Sequence, residues 1–336
     1  MADVKRIKDT DYLAVSARVR ALENTLLTQD QYEQLIAAKS DDEAAKLLQA
    51  FGYGALDLSS PEALDAGLSA ARAETLADLG GGVPDAGFLD VFRLGYDYHN
   101  VKAVLKAEAM GTAADSMLTE LGRVGARELE DALRREGAAD LPGRLAEAAA
   151  EGREVLAATR DPQLSDIAVD RWYHRDLLET AEATGSAFLC GYVRLKIDCA
   201  NLRALVRALR MGKNAEFLRG VLFAGGGVET DELLRVSANG GSGLAELYAP
   251  TALARAAEAG AEALRGGAPT EFEKRCDDAL SAYLDDARLV AFGEEPLLAY
   301  LAALETEYTN LRIVLMGRAA GVPGDVVRAR LRAGFV

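Results

Sequence analysis

Three cysteines (Cys190, Cys199, Cys276), two histidines (His99, His174) and one tryptophan (Trp172) are all that this 336-residue chain holds of those residue types. Three thiols do not make a disulfide framework, and the small number suits a reducing cytosol. The histidines have no H-x-x-x-H spacing and no neighbouring cysteine pair, so a zinc site is not expected. Bases are outnumbered too: 38 Lys and Arg against 53 Asp and Glu leave a net charge of −15. A nucleic-acid binder needs a basic face to replace phosphate counterions, so nucleic acid drops out as a partner, and docking on bare anionic lipid is equally disfavoured. Long hydrophobic runs are also missing. The longest uncharged stretch, Ala183–Val193, is far short of the roughly 20 residues that span a bilayer. No basic stretch followed by an apolar run opens the chain, so neither a signal peptide nor a direct lipid anchor is expected. These readings point to a soluble, intracellular protein.

Catalytic signatures are equally scarce. Glycine-rich pieces occur at "LGGGVPDAG", "AGGGVETDE" and "ANGGSGLAE". None has the phosphate-cradling G-x-x-x-x-G-K-[ST] or G-x-G-x-x-G pattern, and Gly212-Lys213 is followed by Asn214, so they read as interhelix turns and no nucleotide is expected to bind. No G-x-S-x-G elbow exists. His99 reads as a helix-surface residue, Cys190 and Cys199 as buried small hydrophobes, and Trp172 as a core anchor. The sequence offers no catalytic residue, no cofactor site and no metal site.

What is present is helix. Half of the chain is hydrophobic and 27 % is charged, as in globular proteins. Apolar residues recur at i, i+3, i+4 and i+7 nearly everywhere, while strand-like alternation is scarce. "DYLAVSARVRALENTLL" is one such helix. "SDDEAAKLLQAFGYG" is another, with Ser40 as N-cap, Glu43 three residues later and Gly52 or Gly54 as the stop. Asp161-Pro162 and Glu295-Pro296 open later helices, and Gly111, Gly212 and Gly317 are expected to close three of them. Fifteen to eighteen helices are expected from an average length of about 11–12 residues.

One pattern occurs three times. "YDYHNVKAVLKAEAMG" (96–111), "IDCANLRALVRALRMG" (197–212) and "TEYTNLRIVLMG" (306–317) each hold an acid, Asn three residues on, and Lys or Arg two further. The period of about a hundred residues is too long for the common solenoids and suggests a tandem array of whole helical bundles. The expected domains are 1–112, 113–213 and 214–336, the last with a tail ending "VRARLRAGFV". Leu27-Thr28-Gln29-Asp30…Leu35 and Gly226-Gly227-Val228-Glu229…Leu233 occupy similar places in the first and third.

A helical wheel locates the polar pair. With the acid at 0°, Asn lies at about 300°, and positions −3, +4, +7 and +8 lie between about 340° and 80°. Those positions are Leu94, Val101, Val104 and Leu105 in the first copy. They are Leu195, Leu202, Leu205 and Val206 in the second, and Leu304, Leu311, Val314 and Leu315 in the third. Asp97/Asn100, Asp198/Asn201 and Glu307/Asn310 therefore fall in the core-facing stripe, with Lys102, Arg203 and Arg312 at its flank. An unpartnered buried polar group costs about 2–7 kcal/mol, so each pair must be hydrogen-bonded to a neighbour. A polar element kept in each bundle core reads as a register device; the rival reading, three catalytic acids, would put sites a domain apart with no shared cleft.

These residues also carry a resemblance. "YLAVSARVRALENTLLTQDQYEQLIAAKSDDEAAKLLQAFGYG", "LGYDYHNVKAVLKAE", "YVRLKIDCANLRALVRA", "EPLLAYLAALETEYTNLRIVLMGRAAGVP" and "VRARLRAGFV" resemble, in this order and over essentially the whole length, the C subunits of V-type (A-type) ATPases, whose eukaryotic counterparts are the d subunits. The resemblance implies an all-α fold of three similar helical bundles in a pseudo-threefold funnel. It implies a non-catalytic central-stalk rotor component that binds no nucleotide. Its partners would be the central-shaft subunits and the membrane proteolipid ring, and it would transmit torque for ATP-driven ion transport or ATP synthesis at the cytoplasmic face. The raised Ala and Gly content of the linking loops departs from the family. A free-standing helical-repeat scaffold is the alternative.

Overall fold

The computed structural model describes residues 7–54, 56–135 and 141–334. Sixteen α-helices and three short 3-10 turns make up the regular structure of the described residues, with no strand among them. In chain order they are α1 (Leu13–Glu23), α2 (Gln29–Ala37), α3 (Asp41–Ala50), α4 (Pro61–Gly80), α5 (Ala86–Met110), α6 (Ala126–Arg134), α7 (Leu145–Thr159) and α8 (Pro162–Ala183). There follow α9 (Ala187–Arg210), α10 (Ala215–Val221), α11 (Thr230–Ala238), α12 (Leu244–Tyr248), α13 (Ala254–Leu264), α14 (Pro269–Tyr283), α15 (Glu294–Ala319) and α16 (Gly324–Arg330). The protein is all-α.

Local chemistry sets the boundaries. The Ser40 hydroxyl accepts from the Glu43 amide at 3.1 Å and caps α3. Ser60 and Asp161 cap α4 and α8, each with proline in the first turn, where the missing N–H has no intrahelical acceptor to lose. Thr28 and Gln31 form a reciprocal capping box on α2. Gly111 and Gly212 adopt left-handed backbone just past α5 and α9, the conformation glycine reaches without a Cβ penalty.

Gly317 does not close its helix: α15 runs on to Ala319, and Gly321 is the left-handed residue. Gly317 is small for a different reason, since a Cβ there would lie 2.9 Å from the Val327 side chain of α16. Trp172 is not a core anchor either. It is half-buried, and its indole Nε1 donates to Glu151 at 2.6 Å. Cys199 is buried, but Cys190 is only half-buried.

The chain divides into two compact units: Met1–Pro84 with Thr270–Val336, and Asp85–Pro269. In the first, α15 is the central helix and α1, α2, α4 and α16 pack on it. Every residue from Pro296 to Leu304 is buried, with no single polar stripe, as expected of a helix surrounded on all sides. Arg318 reaches from α15 to donate to the carbonyls of Leu35 and Ser40, 3.1 Å each, and of Ala38. These include the carbonyls that the C-terminus of α2 leaves without an intrahelical donor. In the second unit α5 packs against α6, α7 and α8, while α9 packs against α8, α10, α11 and α13.

Candidate functional site

The three polar pairs lie on the three longest helices, α5, α9 and α15. Their six side chains belong to residues between 0 and 7 % exposed, so every donor and acceptor needs a partner. The Asn does the same thing each time. Asn100 Nδ2 donates to the Thr119 carbonyl at 2.8 Å, and the Thr119 amide donates back to Oδ1 at 2.9 Å. Asn201 exchanges the same two bonds with Phe223, both 2.8 Å. Asn310 exchanges them with Arg332, at 3.1 and 2.8 Å. A primary amide offers one acceptor beside a donor, which matches the C=O and N–H of one residue in an extended segment.

On α5 and α9 the acid takes the backbone four and five residues further on, and on α15 it takes a separate segment. Asp97 accepts from the amides of Arg123 and Val124, at 2.9 and 3.2 Å. Asp198 accepts from Gly227 and Val228, at 2.8 and 3.1 Å. Glu307, one methylene longer, accepts from the Leu27 amide and from the Tyr53 hydroxyl. In all three cases a nine-residue helix starts two residues after the acid-held amide: α6 after Val124, α11 after Val228 and α2 after Leu27. A carboxylate just before a helix start also meets the positive end of the helix dipole. Leu27 and Val228, which lie in the two stretches set side by side in the sequence, thus each stand two residues before a helix.

Burial pushes the carboxyls of Asp97, Asp198 and Glu307 above the usual carboxylate range. The Arg123 guanidinium with its amides, the two glycine-segment amides, and the Tyr53 hydroxyl with the Leu27 amide respectively pull them down. The first copy has more charge around it. Arg123 Nε donates to Asp97 Oδ2 at 2.7 Å, and its Nη2 lies 3.3 Å from the buried Asp176, to which the Tyr98 hydroxyl also donates at 3.0 Å. Burial lowers the Arg123 pKa but the Asp97 carboxylate outweighs it, and the guanidinium is held above its ordinary value.

The flanking cations lie outside these seats. Lys102 is half-buried and pairs with Asp170 at 2.7 Å. Arg312 is exposed and pairs with Asp65 of α4 at 2.9 Å, and Arg203 is half-buried on α9. His99 is exposed, with Nε2 2.9 Å from the Met117 carbonyl. His174 is the buried histidine. It packs on the ring of Phe223, with centroids 4.0 Å apart, and burial drives its pKa down to about 3.

Sequence reasoning did not find the receiving segments. Their signal is a shared G-x-V: Gly122-Arg123-Val124 and Gly226-Gly227-Val228. A Cβ on Gly122 would overlap Asp97 Oδ1 and lie 3.1 Å from Cγ, and a Cβ on Gly226 would do the same to Asp198. The glycine-rich turn "AGGGVETDE" is therefore also the seat of a carboxylate. What this geometry does chemically is grip backbone. Among the described residues no group of three or more His, Cys, Asp or Glu could hold a metal ion, and no helix is long and apolar enough to cross a membrane.

Comparison with known proteins adds a family. The model for the ATP synthase (C/AC39) subunit matches residues 15–330. The chain is similar to the C subunit of the V-type sodium ATPase of Enterococcus hirae, 25 % identical over 96 % of this chain and 98 % of that one. It is also similar to the C subunits of two A-type ATP synthases. That of Methanocaldococcus jannaschii is 25 % identical over 95 % of this chain and 86 % of its own, and that of Haloquadratum walsbyi 26 % identical over 94 % and 96 %.

Proposed function

The chain belongs to the ATP synthase (C/AC39) subunit family and is a component of a rotary V-type or A-type ATPase, and from that premise we propose that it is the non-catalytic spacer of the rotor. In this reading it joins the central shaft to the membrane proteolipid ring and carries torque between ATP chemistry and ion movement. The observation that carries the reading is the family match, which runs over 15–330 and so takes in all three polar-pair helices. The polar pairs support a non-catalytic role, because their donors and acceptors are taken up by the protein's own backbone and by the Arg123 and Tyr53 side chains. We read them as register devices in three similar bundles, divided at 1–112, 113–213 and 214–336 and arranged about a pseudo-threefold axis.

The net charge of −15 supports attachment at the cytoplasmic face through protein rather than lipid, since anionic headgroups repel it. A spacer is needed for coupling and not for hydrolysis. Complexes depleted of this chain should split ATP with their detached soluble heads while ion uptake into vesicles stops, and adding the purified chain back should restore uptake. Full-rate pumping by depleted complexes, or ATP turnover by the isolated chain, would overturn the assignment.

A further inference from the structure

The pairs on α5 and α9 each grip one continuous loop: the residue held by Asn lies four and five residues before the two held by the acid. The pair on α15 grips two separate segments. Glu307 holds Leu27, which precedes α2, while Asn310 holds Arg332, which follows α16. On α5 or α9 the amide seat cannot empty without dragging at the carboxylate seat a few residues away. On α15 it can, because nothing covalent and short joins the two partners.

The segment in that second seat is lightly held. Of residues 321–334 only Val327 and Leu331 are buried. Among the described residues its polar ties to other elements are the two Asn310 bonds, an ion pair between Arg332 and Asp277 of α14, and an ion pair between Arg328 and Glu33 of α2 at 2.7 Å, and α16 packs on α15 and α2. Gly321 in left-handed backbone and Pro323 at the start of α16 make a short hinge before it. Beside the seat a small cavity is lined by Leu27, Tyr32, Glu307, Asn310 and Gly334.

We propose that this seat on α15 is a peptide-binding site whose resident ligand is the chain's own segment 324–334, and that the segment leaves it as a unit while the rest stays folded. The ligand class follows from the seat. It is a peptide whose short helix runs into an extended end, where an apolar residue is followed by a cationic one, matched to the Leu331 slot, the Asp277 carboxylate and the Asn310 amide.

Hydrogen exchange on the full chain tests the release. Amides of 327–331 should exchange at least tenfold faster than those of 221–228, and Asn310→Ala should speed them at least tenfold further while accelerating α2, which the segment touches through Glu33, by less. Equal exchange of the two segments, or equal acceleration of α2, overturns the proposal. Binding is tested on the full chain carrying Leu331→Asp, which ejects the resident segment. A labelled peptide of residues 323–334 with the natural sequence should bind it saturably, at least tenfold more weakly when Asn310→Ala or Asp277→Asn is added. Absence of saturable binding, or loss of the helical circular dichroism in the Leu331→Asp chain, also overturns it.

Discussion

Replacing Gly226 with alanine adds one methyl group to a turn and should unseat a buried carboxylate. Gly226 does not have positive φ, so the alanine backbone is unstrained there. The difficulty is space, because the new Cβ would overlap Asp198 Oδ1, stand 3.1 Å from Cγ and 3.4 Å from the Ile197 side chain. Asp198 sits inside the rigid α9 and is 7 % exposed, so the loop must move instead. That movement breaks the bonds from Gly227 and Val228, at 2.8 and 3.1 Å. Hydrogen bonds to a charged group contribute about 1.5–3 kcal/mol each, so losing both, with partial relaxation, should cost about 3 kcal/mol. Urea unfolding followed by far-UV circular dichroism measures it as a fall in midpoint at unchanged slope. Gly220→Ala is the control: it lies in α10 with nothing within 4 Å of the added Cβ and should gain about 0.5–1 kcal/mol from helix propensity. The decisive comparison uses Asp198→Ala as background. With the carboxylate gone the alanine has room, so Gly226→Ala should cost less than about 1 kcal/mol there. Equal costs in the two backgrounds would refute the steric account, and a neutral single substitution would refute the seat itself.

Asn201→Ala should cost about 1–3 kcal/mol by stranding the N–H and C=O of Phe223, and a neutral melt would contradict the clamp. Tyr53→Phe removes one of the two donors that reach Glu307; a loss of about 1–3 kcal/mol in the same assay is expected, and no loss would show that the hydroxyl is dispensable. His174, with its pKa lowered to about 3, binds its proton in the unfolded chain well before the folded one. Its contribution to stability is complete above pH 6.5 and declines as pH falls towards 3, by about 4–5 kcal/mol if fully realised. His174→Leu should flatten that part of the stability–pH curve, and unchanged acid sensitivity would count against it. The raised acids act with the opposite sign: their contribution is complete at low pH and is lost as pH rises through their folded values.

Helices are legible in the sequence because their signals are local. Ser40, Pro162 and Pro296 each announce a boundary through chemistry confined to a few neighbouring residues. The triplicated pairs are legible because an acid and an amide stand out on an apolar stripe. Their partners are not, and the reason is physical. Asn100, Asn201 and Asn310 bind main-chain groups of Thr119, Phe223 and Arg332, three residues with nothing in common as side chains. Recognition of backbone leaves no residue-type signature except where backbone must come close, at Gly122 and Gly226. The third partner is harder still, since Leu27 and Arg332 lie on either side of α15 in the chain and a linear period does not join them. Gly317 misleads because a glycine near a helix end is usually a stop, whereas here it makes room for Val327.

The choice of Asn rather than a bulkier or apolar residue explains how repeats so low in identity can keep the same device. An apolar pocket would tie each loop to a side chain of fitting shape, and Thr119, Phe223 and Arg332 could not then serve in the same place. The amide asks only for an extended residue with both main-chain groups available, and its donor and acceptor order fixes the direction of that segment. The acid, three residues before the Asn on the same helix, fixes where a nine-residue helix begins. Together they set the register between a long helix and a nine-residue helix packed beside it, while leaving loop sequence free. Net stabilisation from such buried pairs is small once desolvation is counted, which fits a role in alignment. A wrong register would leave two buried main-chain groups and a carboxylate without partners, at about 1–3 kcal/mol or more for each. The gap between right and wrong packing is therefore larger than the stability that the pair itself confers.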